Sequence, residues 1–75
     1  MKTADFLIEL EDILQREEPC KENDNLCDYD EWDSLSKMAL MAFFEKNFGL
    51  KVKLKDLNDV KTVSDLINFA GENIK

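Results

Sequence analysis

The apolar positions fall into segments of different period. Phe6, Leu7, Leu10, Ile13 and Leu14 recur at helical spacing and make one stripe. They predict a first helix over about Ala4–Arg16, with Thr3 as its N-cap and Asp5 in its first turn. Pro19 closes this region and disfavours helix at Glu18. A long polar connection follows to Asp33, in which only Leu26, Tyr29 and Trp32 are bulky apolar anchors, and Leu26 is expected to pack inward. Such a length without regular structure is unusual in a compact domain unless it is functional. From Ser34 to Phe48 the helical period returns, with Leu40, Met41, Phe44 and Phe48 on the core stripe, Asp33 as N-cap and Gly49 as the left-handed C-cap. Phe43 falls off that stripe, as a contact residue or one that packs under the loop.

Leu50, Val52 and Leu54 then alternate with Lys51, Lys53 and Lys55. The period is that of a strand, but the chain offers no second strand to pair with it. An extended connector burying Leu50 and Val52 is therefore expected, followed by a short helix over Lys55–Val60 with Leu57 inward. The last helix starts at Thr62, where Thr62-Val63-Ser64-Asp65 resembles a capping box with Asp in place of Glu. Leu66, Ile67, Phe69, Ala70 and Ile74 supply its core face, and Gly71 weakens its end. With two glycines and one proline in the chain, helices and not tight turns dominate the expectation.

Seventy-five residues make one domain, 1–75, near the lower size limit for unaided folding. No apolar run approaches the roughly 20 residues that span a bilayer. Lys2 is followed by an amphipathic acidic segment and not by an apolar block, so a cytoplasmic location is expected. The net charge of −7 is unevenly placed. Eleven acidic residues lie between Glu9 and Asp33 against Arg16 and Lys21, whereas from Ser34 onward five acidic residues face seven lysines. An anionic surface argues against nucleic acid as a partner. It suits docking onto basic protein surfaces, where charge sets on-rate and orientation. The same charge also serves as an ordinary solvated face.

The candidate chemistry is sparse. Cys20 and Cys27 without any histidine make a poor zinc site, and a disulfide is disfavoured in the cytoplasm. The acidic connection does not fit a calcium loop: counted from Asp24 the sixth and twelfth positions are Tyr29 and Leu35, and counted from Asp28 they are Asp33 and Ala39. No metal site is expected. There is no nucleophile–base pair and no phosphate-cradling glycine loop, which argues against an enzyme.

What stands out is Ser34, placed at the first turn of a helix, where the dipole and unpaired N–H groups favour an anion. Asp33-Ser34-Leu35, followed by Met38, Leu40, Met41, Phe44, Phe48-Gly49-Leu50 and Val52, and then by Thr62-Val63-Ser64-Asp65-Leu66, resembles the acyl carrier protein family over most of Trp32–Phe69. The tripeptide alone is common, but the ordered set at family spacing is specific. The resemblance implies an all-α fold, a small antiparallel bundle of three longer helices and one short one. It implies a non-catalytic monomer with 4′-phosphopantetheine, taken from coenzyme A, covalently attached to Ser34. The arm's thiol would hold an acyl or aminoacyl group as a thioester. The implied partners are a phosphopantetheinyl transferase, a loading ligase and acyltransferase or synthase enzymes, docking around Asp33, Leu35, Met38, Ala39 and Ala42.

The departures from the family pattern narrow the role. Fatty-acid carriers usually have Gly-Ala/Leu before Asp-Ser-Leu, where this chain has Glu31-Trp32. Their second helix is usually strongly acidic, whereas here Lys37, Ala39, Lys46 and Asn47 replace much of that charge. Phe43 and Phe44 are bulky where long acyl chains would need space. The Trp-Asp-Ser-Leu form looks more like specialised stand-alone carriers, the D-alanyl carriers among them. A housekeeping fatty-acid carrier and an unmodified carrier-like interaction module are the alternatives.

Overall fold

The first apolar stripe winds into α1, Thr3–Leu14, with Phe6, Leu10 and Leu14 buried along one side. Both ends differ from the sequence expectation. Thr3 is the first helical residue and not the cap. Lys2 holds the cap position without a side-chain bond, and the Thr3 N–H donates instead to the carbonyl of Lys75 at 2.9 Å. The helix stops before Arg16 because Gln15 turns left-handed at φ 55°. The N–H groups of Gln15 and Arg16 then close onto the carbonyls of Asp12 and Glu11 at 3.1 and 3.0 Å. A left-handed glutamine costs about 1 kcal/mol in local strain, and it turns Arg16 toward the loop.

The structure is a computed structural model that describes residues 1–75, and it is all-helical. Helix α2 runs Ser34–Phe48 and ends at Gly49, whose φ of 66° lets its N–H reach the carbonyl of Glu45. The connector makes no strand; it buries Val52 and half-buries Leu50. Helix α3, Leu54–Asp59, begins and ends one residue earlier than expected, since the Asp56 carboxylate accepts the Lys53 N–H at 3.1 Å and fixes its start. Leu57 points inward and is fully buried. Helix α4, Val63–Ala70, is followed by a 3₁₀ turn at Gly71–Asn73. Thr62 caps α4 as the sequence suggests, with its hydroxyl accepting the Asp65 N–H at 3.1 Å.

The core is built from Phe6, Leu10 and Leu14 of α1, Leu40 and Phe44 of α2, Leu57 of α3, and Val63, Leu66 and Ala70 of α4, with Leu26, Tyr29 and Ile74 closing its edges. The buried line on α2 is Ser36, Leu40 and Phe44, at i, i+4 and i+8, with Met41 and Phe48 on its shoulder. Two aromatic placements differ from the pattern. Phe43 does not pack under the loop: half-buried, it meets Phe6 at 6.2 Å and Phe48 at 5.7 Å between ring centroids, and the rest of its surface lines an open cleft. Phe69 leaves the core face, because Val63, Leu66 and Ala70 already fill that side of α4. Its ring flanks Phe44 at 6.2 Å and remains 39 % exposed.

The connection from Pro19 to Asp33 is better ordered than its composition suggests. It contains a 3₁₀ turn at Leu26–Asp28 that buries Leu26, and it is tied to the start of α4. Leu26 donates to the carbonyl of Lys61 at 2.8 Å; Val63 and Ser64 donate to the carbonyls of Asp24 and Glu22 at 3.0 and 2.9 Å. Those last bonds satisfy N–H groups that the first turn of α4 would otherwise leave orphaned. The Tyr29 hydroxyl donates to Asp24 at 2.7 Å, and the Arg16 guanidinium lies 3.7 Å over the Tyr29 ring while pairing with Glu31 at 2.9 Å. These contacts hold the loop that delivers Ser34.

Candidate functional site

The start of α2 is set by a reciprocal cap. Asp33 is extended, with φ −130° and ψ −176°, so its carboxylate swings back over the first turn. It accepts the Ser36 N–H at 2.9 Å, while the Ser36 hydroxyl accepts the Asp33 N–H at 2.9 Å and donates to the Asp33 carbonyl at 3.0 Å. Ser36 is buried and wholly committed to this cap. Its only signal in the sequence is a cap residue followed three positions later by a hydroxyl. Ser34, by contrast, is exposed at the first helical position, and no side-chain hydrogen bond of the structure involves it. The two serines of one turn are thereby divided: one structural, one presented to solvent.

The surface around Ser34 is apolar by the same geometry. Leu35 is 78 % and Met38 59 % exposed, and Asp33, Ala39 and Ala42 are also exposed. Leu35, Met38, Ala39 and Ala42 stand at i, i+3, i+4 and i+7, which places them on one outer face of α2. A cleft of about 580 Å³ opens beside them, between the end of α1 and the start of α2. On the other flank Lys37 reaches across to α3, donating to the Asn58 side chain at 3.0 Å with its ammonium 5.3 Å from the Trp32 ring. Lys37 is thus engaged within the fold and not offered as a free positive charge.

The acids of the loop surround this end of the molecule. Glu31 and Glu18 meet Arg16, at 2.9 and 3.5 Å, so the cation offsets part of the local charge. Asp28, Asp30 and Asp33 stay on the exposed surface. No group of three or more His, Cys, Asp or Glu side chains is arranged to hold a metal ion. Cys20 is buried and Cys27 exposed, and both are free thiols. Burial pushes the Cys20 thiol up, away from the reactive range, against the smaller opposing pull of Tyr29 and Arg16.

Three carboxylates are held below their ordinary range by hydrogen bonds to the ionised form: Asp33 chiefly by the Ser36 N–H, Asp24 chiefly by the Tyr29 hydroxyl, and Asp65 by the N–H groups of Lys61 and Thr62. A folded-state value below the unfolded one gives stability that is present above the unfolded pKa and lost as pH falls through the folded value. Stability is therefore expected to hold above about pH 5 and to fall below about pH 4. Urea melts from pH 2 to 6 check this. Asp33→Asn, which keeps an oxygen acceptor but cannot titrate, should fall less steeply than the wild type; identical slopes would remove Asp33 from the account.

Residues 6–70 match the family model for the phosphopantetheine attachment site. The chain belongs to that family of non-catalytic domains, whose prosthetic group is 4′-phosphopantetheine. Among proteins similar to it are the acyl carrier proteins of two strains of Porphyromonas gingivalis, each 37 % identical over 43 residues, which cover 57 % of this chain and 55 % of the relative. The chain thus matches about half the length of these relatives. No solved structure matches it. No helix is long and apolar enough to cross a membrane.

Proposed function

We propose that Ser34 carries 4′-phosphopantetheine and that the protein presents an acyl or aminoacyl thioester to partner enzymes. The observation that carries this reading is the state of the Ser34 hydroxyl: exposed, without an internal hydrogen bond and at the positive end of a fifteen-residue helix. The residues fit the group. A phosphodiester on Ser34 lies beside backbone N–H groups that the first turn leaves unpaired, and Asp33, already bonded to Ser36, holds that turn in place. When attached, the group supplies a terminal thiol that forms thioesters. This chain's residues present it: the loop contacts of Arg16, Tyr29 and Asp24 fix the approach to the helix, and Leu35, Met38, Ala39 and Ala42 offer an apolar face to partners.

The partners of this reading are a phosphopantetheinyl transferase, a loading ligase and acyltransferase or synthase enzymes, met by a monomer in the cytoplasm. A specialised pathway is favoured over housekeeping fatty-acid synthesis. Its support is Glu31-Trp32 before Asp33, with Lys37 and Lys46 on a helix that retains a single acid, Glu45. The housekeeping role is the second reading, favoured by the acyl carrier relatives.

Intact-mass spectrometry after incubation with coenzyme A and a broad-specificity phosphopantetheinyl transferase tests the proposal. The expected result is a gain of one phosphopantetheine per chain. A folded sample that gains nothing would overturn it in favour of an unmodified interaction module. Loading the modified protein with malonyl or aminoacyl groups by purified enzymes of each class then separates the two pathways.

A further inference from the structure

We infer that the groove between α1 and α2, and not the interior between α2 and α3, receives the arm carried by Ser34; the inference rests on the reading of Ser34 proposed above. Two open clefts lie on this side of α2. The first, about 580 Å³, is lined by Ile13 and Gln15 at the end of α1 and by Asp33, Leu35 and Ala39, among others. The second, about 380 Å³, is lined by Glu9 of α1 and by Ala39, Ala42, Phe43 and Asn47, among others. Ala39 belongs to both, so the clefts adjoin. Ser34 stands between Asp33 and Leu35, which line the first cleft, and from Ser34 to Asn47 the helix runs roughly 20 Å at 1.5 Å per residue. An extended phosphopantetheine arm is of the same order in length.

The lining suits that arm. Beyond its phosphate the arm is uncharged, with a branched methyl segment and two amides. The groove offers the apolar surfaces of Ile13, Leu35, Ala39 and Phe43, with side-chain amides at its two ends in Gln15 and Asn47. The carboxylates at its mouth do not oppose an uncharged chain.

The opposite side is closed. Lys37 spans from α2 to Asn58 of α3, Leu57 is fully buried, and Phe44 is packed among Phe6, Phe43, Phe48 and Phe69. No residue of α3 lines any of the three clefts in the molecule. One consequence is that the arm rests on Leu35, Ala39 and Ala42, the surface a docking enzyme would cover, so docking and release of the arm are coupled.

The test transfers a coenzyme A conjugate bearing a nitroxide on its thiol to Ser34, which leaves exposed Cys27 unlabelled, and records amide spectra of the nitrogen-15 protein. Intact mass verifies the transfer. Paramagnetic loss of intensity is expected to be strongest at Ala42, Phe43 and Asn47 and weaker at Leu57 and Asn58. Glu9→Trp, a change at an exposed position of α1 that lines the second cleft and lies outside the partner face, should fill the groove and restore the Asn47 signal while modification continues. Stronger broadening at Leu57 and Asn58 than at Asn47, or broadening confined to the neighbours of Ser34 and indifferent to Glu9→Trp, would overturn the groove assignment with Ser34 modified. Absence of the mass gain would instead sink the Ser34 reading, and this inference with it.

Discussion

Ser34→Ala is expected to abolish the phosphopantetheine mass gain completely while leaving stability within about 0.5 kcal/mol of the wild type. The exposed Ser34 side chain takes part in no hydrogen bond of the fold, so its removal breaks nothing that holds α2. Alanine is also a better helix former than serine. Ser36→Ala, two residues on, should do the reverse. It removes one of the two acceptors of the Asp33 N–H, the other being the Glu31 carbonyl at 3.0 Å, and the donor to the Asp33 carbonyl, at a buried position, for a cost of about 0.5–1.5 kcal/mol. It should still gain the group. Mass spectra and urea melts on both variants read the two effects separately. A mass gain on Ser34→Ala would move the attachment point elsewhere, and loss of the gain on a folded Ser36→Ala would show that the transferase requires the intact cap.

This contrast also marks where the sequence was legible. The helices that carry the site were readable because their signals are local: α2 is bounded by Asp33 and Gly49, and α4 is opened by Thr62 and Asp65, all acting within four residues of the helix end. Ser34 and the row Leu35, Met38, Ala39 and Ala42 were singled out by the family resemblance, and the structure places all five on the surface. What was not legible depends on distant parts of the chain. Thr3 could be helical without capping because Lys75 supplies its acceptor. The connection before Asp33 looked irregular because its bonds run to Lys61, Val63 and Ser64, some forty residues away. Arg16 read as one cation in an acidic half, yet it stacks on Tyr29 and pairs with Glu31. Phe69 matched the apolar period, but the width of the interior left its ring at the edge. The groove beside α2 depends on how α1 lies against it, which no local pattern encodes.

Phe44→Ala is the substitution expected to cost the fold most, about 3–5 kcal/mol. Phe44 is fully buried, and its ring meets those of Phe6, Phe43, Phe48 and Phe69 at 5.8–6.2 Å. Alanine there loses the transfer of a whole aromatic ring and leaves a space that four neighbouring rings cannot collapse into without leaving their own contacts. For a domain of this size the total stability is about 5–10 kcal/mol, so the variant should be close to unfolding at physiological temperature. Phe69→Ala is the control. The residue has the same chemistry and lies in the same aromatic group, but its partial exposure lets water take the vacated space. It should cost less than half as much. Urea melts with far-ultraviolet circular dichroism measure both. Equal costs would mean that Phe69 is core after all and that α4 presents a wider face to the bundle. A small cost at Phe44 would mean that the interior can close around the gap. An interior that yields in this way could also open for a bound chain, which would weaken the argument that the arm is kept outside.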